Sequence, residues 1–279
     1  VTFYDLDAEN DADASVATMI WAETYRHIFD RILSDEDIDE VMAHDPRTLR
    51  VNLLRRLLDG RGAGNPESLR SYNPATEESV FFDVRGTADV ERSEECLVGA
   101  LADALSALSA AATEEAPLGF GTGDMTAWRW GYRHMARFES ILVIFAGSDV
   151  PEVALLAGGF SISPRRLPLA PGLSDDDPRR ALPWFPRPGD FFAVDAGNPA
   201  LTLDADYTYG TGPVMRMVIE LNEGSVRGQN ILPGGQSGLT GSDHFDDQAG
   251  AWLGNDTIPM RYSVDDVVAG AVSREAFRP

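Results

Sequence analysis

The sequence contains no lysine. All 23 of its basic side chains are arginine, set against 45 carboxylates, for a formal net charge of −22 over 279 residues. A chain this acidic has no broad basic face with which to neutralise nucleic-acid phosphates. Nor would it be drawn to an anionic membrane surface. Cysteine is nearly absent: Cys96 stands alone, so no intrachain disulfide can form and the redox compartment cannot be read. Long apolar runs are missing too. The stretch from Ile141 to Gly147 falls far short of the roughly 20 residues that a membrane span needs. The first residues, Val1 to Asp5, carry neither a basic segment nor an apolar core of the kind a signal peptide shows, and no initiator methionine. The expectation is a processed product or a fragment.

What is present is acid of a particular kind. Asp outnumbers Glu by 28 to 17. One reading is adaptation to salt, where Asp-rich surfaces stay hydrated and molar salt screens their repulsion. The other is a GC-rich genome that encodes arginine in place of lysine. The Asp excess favours the first. At 43% hydrophobic residues, the chain can still bury a core.

Periodicity predicts helices first. Val16, Ile20, Ala22, Tyr25, Ile28, Phe29 and Ile32 recur at helical spacing between Asp11 and Leu33, with Ser15 as the expected cap. Shorter helices are expected at 34–44 and 46–58, the second closed by Gly60, and a loop at 60–78. A long helix is expected at 91–112, with Leu97, Leu101, Leu105 and Leu108 on its packing side. Residues 147–188 read as an irregular, proline-rich excursion. Strands follow at 191–195, 213–221 and 226–232, and Asn222 to Ser225 suits a hairpin turn. A last helix starts at Ser263. Helices first and strands last argue for an α+β fold. The expected organisation is mainly helical over 1–115, irregular over 116–188, and strands returning to a central sheet over 189–279.

Catalytic signals are thin. His27, His44, His134 and His244 are far apart and show no metal-binding spacing. Gly235-Gln236-Ser237 begins like a nucleophile elbow, but Leu239 stands where the second glycine belongs, so the stretch reads as a structural turn. The run Asp243-His244-Phe245-Asp246-Asp247-Gln248 admits two readings. It could hold a divalent cation through hard oxygens. More simply, it is a helix start with acids at the positive end of the dipole and His244 hydrogen-bonded into the core. Asp175 to Asp177 reads as a solvated loop. Asn255-Asp256-Thr257 matches a glycosylation acceptor only formally. Trp128, Trp130, Tyr132 and Phe138 read as core.

Several motifs then line up in order. Asn230-Ile231-Leu232-Pro233-Gly234-Gly235-Gln236-Ser237-Gly238, followed by His244-Phe245-Asp246-Asp247-Gln248, resembles the end of the β chain of penicillin acylases, with Phe245 in place of the usual tyrosine. Gly212 to Leu221, with Arg216, resembles the family's Gly-x-Ser-x-Arg strand. Gly189-Asp190 with Ala193 to Ala196, Trp128-x-Trp130-Gly131-x-x-His134, and Tyr4-Asp5 with Ser15 resemble further landmarks. Glu139 stands where a second histidine is common.

That resemblance implies an N-terminal-nucleophile hydrolase: part of an αββα four-layer sandwich with helical additions. In such enzymes a serine exposed by self-cleavage attacks an amide carbonyl, with its own α-amino group as base. Implied substrates are penicillins, cephalosporins or N-acyl compounds. The nucleophile, the oxyanion asparagine and the calcium ligands belong to earlier parts of the family pattern. The chain therefore resembles the C-terminal half of a β chain, expected to be inactive alone. The implied partners are the α chain, the N-terminal part of the β chain and a small amide substrate, with no nucleic acid and no membrane. No catalytic, cofactor or metal residue is assigned here, while calcium is allowed in the complete enzyme, and an extracytoplasmic setting is compatible. Arg216, Gly234, Gly235, Gln236, Ser237, His134, His244, Asp247 and Gln248 are expected as structural supports. The rival reading is a stand-alone, non-catalytic binding domain on the same scaffold.

Overall fold

In the computed structural model, the described residues are 12–36, 47–59, 70–113, 118–139, 161–165, 176, 178–189, 207–209, 212, 215–223, 225–273 and 275–276. Their elements, in chain order, begin with helix α1 (Ala12–Leu33), helix α2 (Arg47–Asp59), strands β1 (Tyr72–Asn73) and β2 (Glu78–Ser79), and helix α3 (Ser93–Ser109). The short strands β3 (Met135–Ala136) and β4 (Phe185–Pro186) follow, then β5 (Arg216–Asn222) and β6 (Ser225–Ile231). The chain closes with α4 (Ala249–Leu253), β7 (Ile258–Pro259) and α5 (Val264–Ala269). Helices and small antiparallel sheets together make the fold α+β. No helix among the described residues is long and apolar enough to cross a membrane.

The chain divides into two units. One comprises Asp5–Met135 and Pro188–Thr211, the other Val1–Tyr4, Ala136–Arg187 and Gly212–Pro279.

The first unit is built on α1 and α3. Tyr25, Ile28, Phe29 and Ile32 of α1 pack with Leu54 and Leu57 of α2, Phe82, and Cys96 and Ala100 of α3. Toward the start of α1, Met19 and Ala22 join Leu108, Trp128, Trp130 and Tyr207 in a second cluster. Of the leucines expected to share one side of α3, Leu108 is buried and Leu97 and Leu105 pack against the core, while Leu101 is exposed. The most buried line runs along Cys96, Ala100, Ala104 and Leu108 at successive i, i+4 positions. Gly99 leaves room for the Arg31 side chain, whose guanidinium carbon would lie 2.6 Å from a Cβ there, and Arg31 also pairs with Asp103 of α3.

One cap differs from expectation, and a second is not anticipated by the sequence. Helix α1 starts before Ser15, whose Oγ accepts the backbone N–H of Trp130 at 2.9 Å instead of capping the helix. At the start of α3, the buried carboxylate of Glu78 accepts the Ser93 backbone N–H (2.8 Å) and hydroxyl (3.0 Å), and Glu95 accepts the Arg92 N–H (2.9 Å). Carboxylates suit a helix N-terminus, where free N–H groups concentrate positive potential. Glu78 arrives on the β1–β2 hairpin, which occupies part of the stretch expected as loop.

The second unit contains the β5–β6 hairpin. Seven residue pairs run from Arg216 opposite Ile231 to Asn222 opposite Ser225. This is the hairpin that the sequence predicts, with both strands trimmed at their outer ends. Strand β7 adds to β6 through Gln229 and Asn230. Helix α5 begins where expected, with the Ser263 hydroxyl accepting the Asp266 N–H at 3.0 Å. The helix expected at 34–44 (beyond a turn at 34–36) and the strand expected at 191–195 lie outside the described residues.

Candidate functional site

Most of the polar residues singled out in the sequence converge on one loop of the second unit, between β6 and α4. Gln248 ties its two ends together. Its side-chain oxygen accepts the Leu232 N–H at 3.1 Å, and its own N–H donates to the Gly234 carbonyl at 2.9 Å. Inside that closure, the Ser237 N–H donates to the His244 carbonyl at 2.9 Å. Gly235 lies where the two arms touch, since a Cβ there would sit 2.1 Å from the His244 carbonyl oxygen. The Ser237 hydroxyl accepts the Leu239 N–H at 3.1 Å, which is turn geometry.

His244 is placed differently from the expectation of a core hydrogen bond. Its side chain is exposed, with Nδ1 2.8 Å from Asp247 Oδ2. The hydrogen bond to Asp247 and that carboxylate's charge raise its pKa, with Asp243 adding to them. Gln236 is exposed on the outer side of the turn.

Arg216 stands at the base of the hairpin and holds the helix that follows the loop. Its guanidinium lies 3.9 Å from the centroid of the Trp252 indole and donates to the Trp252 carbonyl. Arg187 approaches the same ring at 4.9 Å and donates to the Leu253 carbonyl at 2.6 Å and to Asn255 Oδ1 at 3.2 Å. Two guanidiniums thus share one buried indole, each also bound to the end of α4. Phe138 meets that ring edge-on at 5.2 Å. Arg187 was not singled out in the sequence. It lies in the irregular stretch, and its partners lie 66 and 68 residues away.

His134 belongs to the other unit. It is fully buried, with Nδ1 2.7 Å from the Tyr207 carbonyl and its ring stacked on Trp130 at 4.8 Å. Trp130 is fixed in turn by Ser15 and by the Gly189 carbonyl, which accepts its indole N–H at 2.9 Å. Tyr207 donates its hydroxyl to buried Glu23 at 2.9 Å. Glu23 also accepts from Arg26 and lies 3.3 Å from His27. The sequence hides this cluster, because Glu23 reads as one more surface acid in an acidic chain. The reading of Trp128 and Trp130 as core matches their burial, while Tyr132 and Phe138 are half-buried.

The chemistry of these groups is that of support. Burial pushes the Cys96 thiol up to about 11, so it is protonated at neutral pH and a poor nucleophile. Among the described residues, no group of three or more His, Cys, Asp or Glu side chains could hold a metal ion.

Comparison with known proteins gives one finding. The family model described as Penicillin amidase matches residues 3–269, nearly the whole chain. No curated protein sequence matches it.

Proposed function

The chain belongs to the penicillin amidase family, and from that premise we propose that it forms the C-terminal segment of an amidohydrolase whose serine nucleophile lies outside residues 1–279. The family implies hydrolysis of amides. The finer reading is a penicillin, cephalosporin or N-acyl amide as substrate, cleaved by a serine whose α-amino group is the base. Calcium, in this reading, is bound by the rest of the enzyme.

One observation carries the proposal. In the β5–β6–β7 sheet, the register puts Met217, Ile219, Leu221, Val226 and Ile258 on one face. All five are exposed, Leu221 by 80% and the others by 42 to 49%. The opposite face carries Glu220, Asn222, Arg227 and Gln229, together with exposed Val218 and, at the base of the hairpin, Arg216 and buried Ile231. Such alternation marks a strand pair with one face against a packing layer. At the middle of the apolar face, Gly228 opposite Ile219 is covered from within the chain by Tyr262 and Met260; the apolar side chains left exposed around it mark a surface that another element covers. A second sheet of a sandwich, supplied by the remainder of the acylase, would cover it. Arg216 and the Gln248-closed loop would then fix the base of the hairpin against α4.

The test is expression of residues 1–279 alone and together with an upstream segment that includes the family's nucleophile region. Hydrolysis of a penicillin and of a simple N-acyl amide is assayed in both. Activity only in the co-expressed pair supports the proposal; activity of the chain alone overturns it.

A further inference from the structure

Beside the Gln248-closed loop lies an open depression of about 600 Å³, lined by Gln236, Ser237, Ser242, His244, Asp247, Gln248 and Ile258. Its polar groups are mostly hydrogen-bond donors with capacity to spare. Gln248 is 9% exposed. Its oxygen is committed to Leu232, and among the described residues its NH2 group makes no hydrogen bond, although it carries two donors. The Ser237 and Ser242 hydroxyls already accept backbone N–H groups, from Leu239 at 3.1 Å and His244 at 3.2 Å. Each keeps its own O–H to donate. His244 spends Nδ1 on Asp247, which leaves Nε2 as the remaining polar atom of an exposed ring.

A nearly buried amide with idle donors, facing open space beside two hydroxyls and an imidazole, is a cradle for an acceptor oxygen. Charge decides which kind. Asp243, Asp246 and Asp247 belong to the same loop, on a chain of net charge −22. A carboxylate ligand would face that repulsion; a neutral carbonyl would not. Ile258 supplies an apolar wall. We propose that this depression binds a neutral, amide-bearing small molecule, its carbonyl oxygen held by the Gln248 amide and the Ser242 hydroxyl, its amide N–H donated to His244 Nε2, which accepts because Nδ1–H is given to Asp247, and its apolar substituent against Ile258. Ile258 also belongs to the apolar face assigned above to a covering layer, so this binding is proposed for residues 1–279 without that layer, and its test is separate from the test of hydrolysis.

The test is a titration of 15N-labelled chain, residues 1–279, followed by NMR. The probes are N-acetyl-leucinamide and its charged counterpart N-acetylleucine. The neutral probe is expected to shift the Gln248 side-chain NH2 and His244 ring signals saturably, and the carboxylate to bind at least threefold more weakly. Ser242→Ala and His244→Ala should each weaken the neutral probe at least threefold, while His244→Gln, whose Oε1 can still accept the probe's amide N–H, should retain most of the affinity. Absence of saturable shifts at Gln248 and His244 overturns the proposal. So does equal or tighter binding of the carboxylate, or unchanged affinity in the folded alanine variants.

Discussion

The Tyr207 hydroxyl donates to Glu23 at 2.9 Å across 184 residues of sequence, with both side chains buried. The carboxylate at the centre of this contact is charged. Burial alone would raise its pKa, but hydrogen bonds from His27, Arg26 and Tyr207, with the Arg26 charge, hold it at about 2. Burial beside that carboxylate pushes the Tyr207 phenol well above its ordinary range.

Glu23 therefore links stability to pH. Its folded pKa lies below its ordinary value of 4.5, so its contribution is complete above 4.5 and is lost as pH falls toward 2. Glu23→Gln leaves Arg26 without its buried partner, and is expected to cost about 3 kcal/mol at pH 7. Tyr207→Phe should cost about 2 kcal/mol. Urea unfolding at pH 7 and pH 3 checks both. The gap between wild type and Glu23→Gln should narrow at pH 3; a constant gap would contradict the ionised carboxylate.

Gly235 and Gly238 make a matched pair in one loop. Alanine at 235 would drive its Cβ into the His244 carbonyl, whereas Gly238 has open space around it. Gly235→Ala should destabilise by about 1–3 kcal/mol through forced backbone movement. Gly238→Ala should stay within about 0.5 kcal/mol of wild type. Thermal melts of the two variants, side by side, measure the difference.

Arg216→Lys tests the indole contact. Lysine keeps the charge but loses the planar guanidinium that covers Trp252 while donating to its carbonyl. A loss of about 1 kcal/mol is expected, with a change in tryptophan fluorescence. A variant with unaltered emission and stability would show that Arg216 does not hold Trp252.

Salt should matter to a chain of net charge −22 without lysine. If the acidic composition is an adaptation to salt, the melting temperature rises between 0.1 M and 2 M potassium chloride as repulsion is screened. A flat or falling profile would favour the GC-rich-genome reading instead.

The parts legible in the sequence are those set by local rules. The hairpin from Arg216 to Ile231 follows from alternation around Asn222 to Ser225, and α1 follows from its apolar spacing. The Ser263 start of α5 follows from capping chemistry. The rest depends on partners far along the chain. The leucines of α3 are legible as a core-facing set in part, since Leu97, Leu105 and Leu108 pack on the core, but the residues on its deepest line, Cys96, Ala100 and Ala104, do not stand out by size, and Leu101 is exposed. Ser15 suits a cap by composition, yet its hydroxyl is taken by Trp130, 115 residues away. Glu23 and Arg187 are invisible as buried charges until Tyr207, Trp252 and Asn255 are seen beside them. In the loop, glycine at 235 was noticed for its freedom of turn, but its requirement comes from the His244 carbonyl pressed against it.

The central claim is that the apolar face of the β5–β6 hairpin completes a larger catalytic assembly. Complementation with Ile219→Asp tests it most directly. Ile219 is 44% exposed on that face, so a carboxylate there should leave the isolated chain folded while blocking a covering layer. Co-expressed with an upstream nucleophile-bearing segment, the wild-type chain should restore amide hydrolysis and Ile219→Asp should lose at least tenfold of it, with unchanged circular dichroism of the isolated variant. Full activity from the Ile219→Asp pair, or hydrolysis by residues 1–279 alone, would contradict the account.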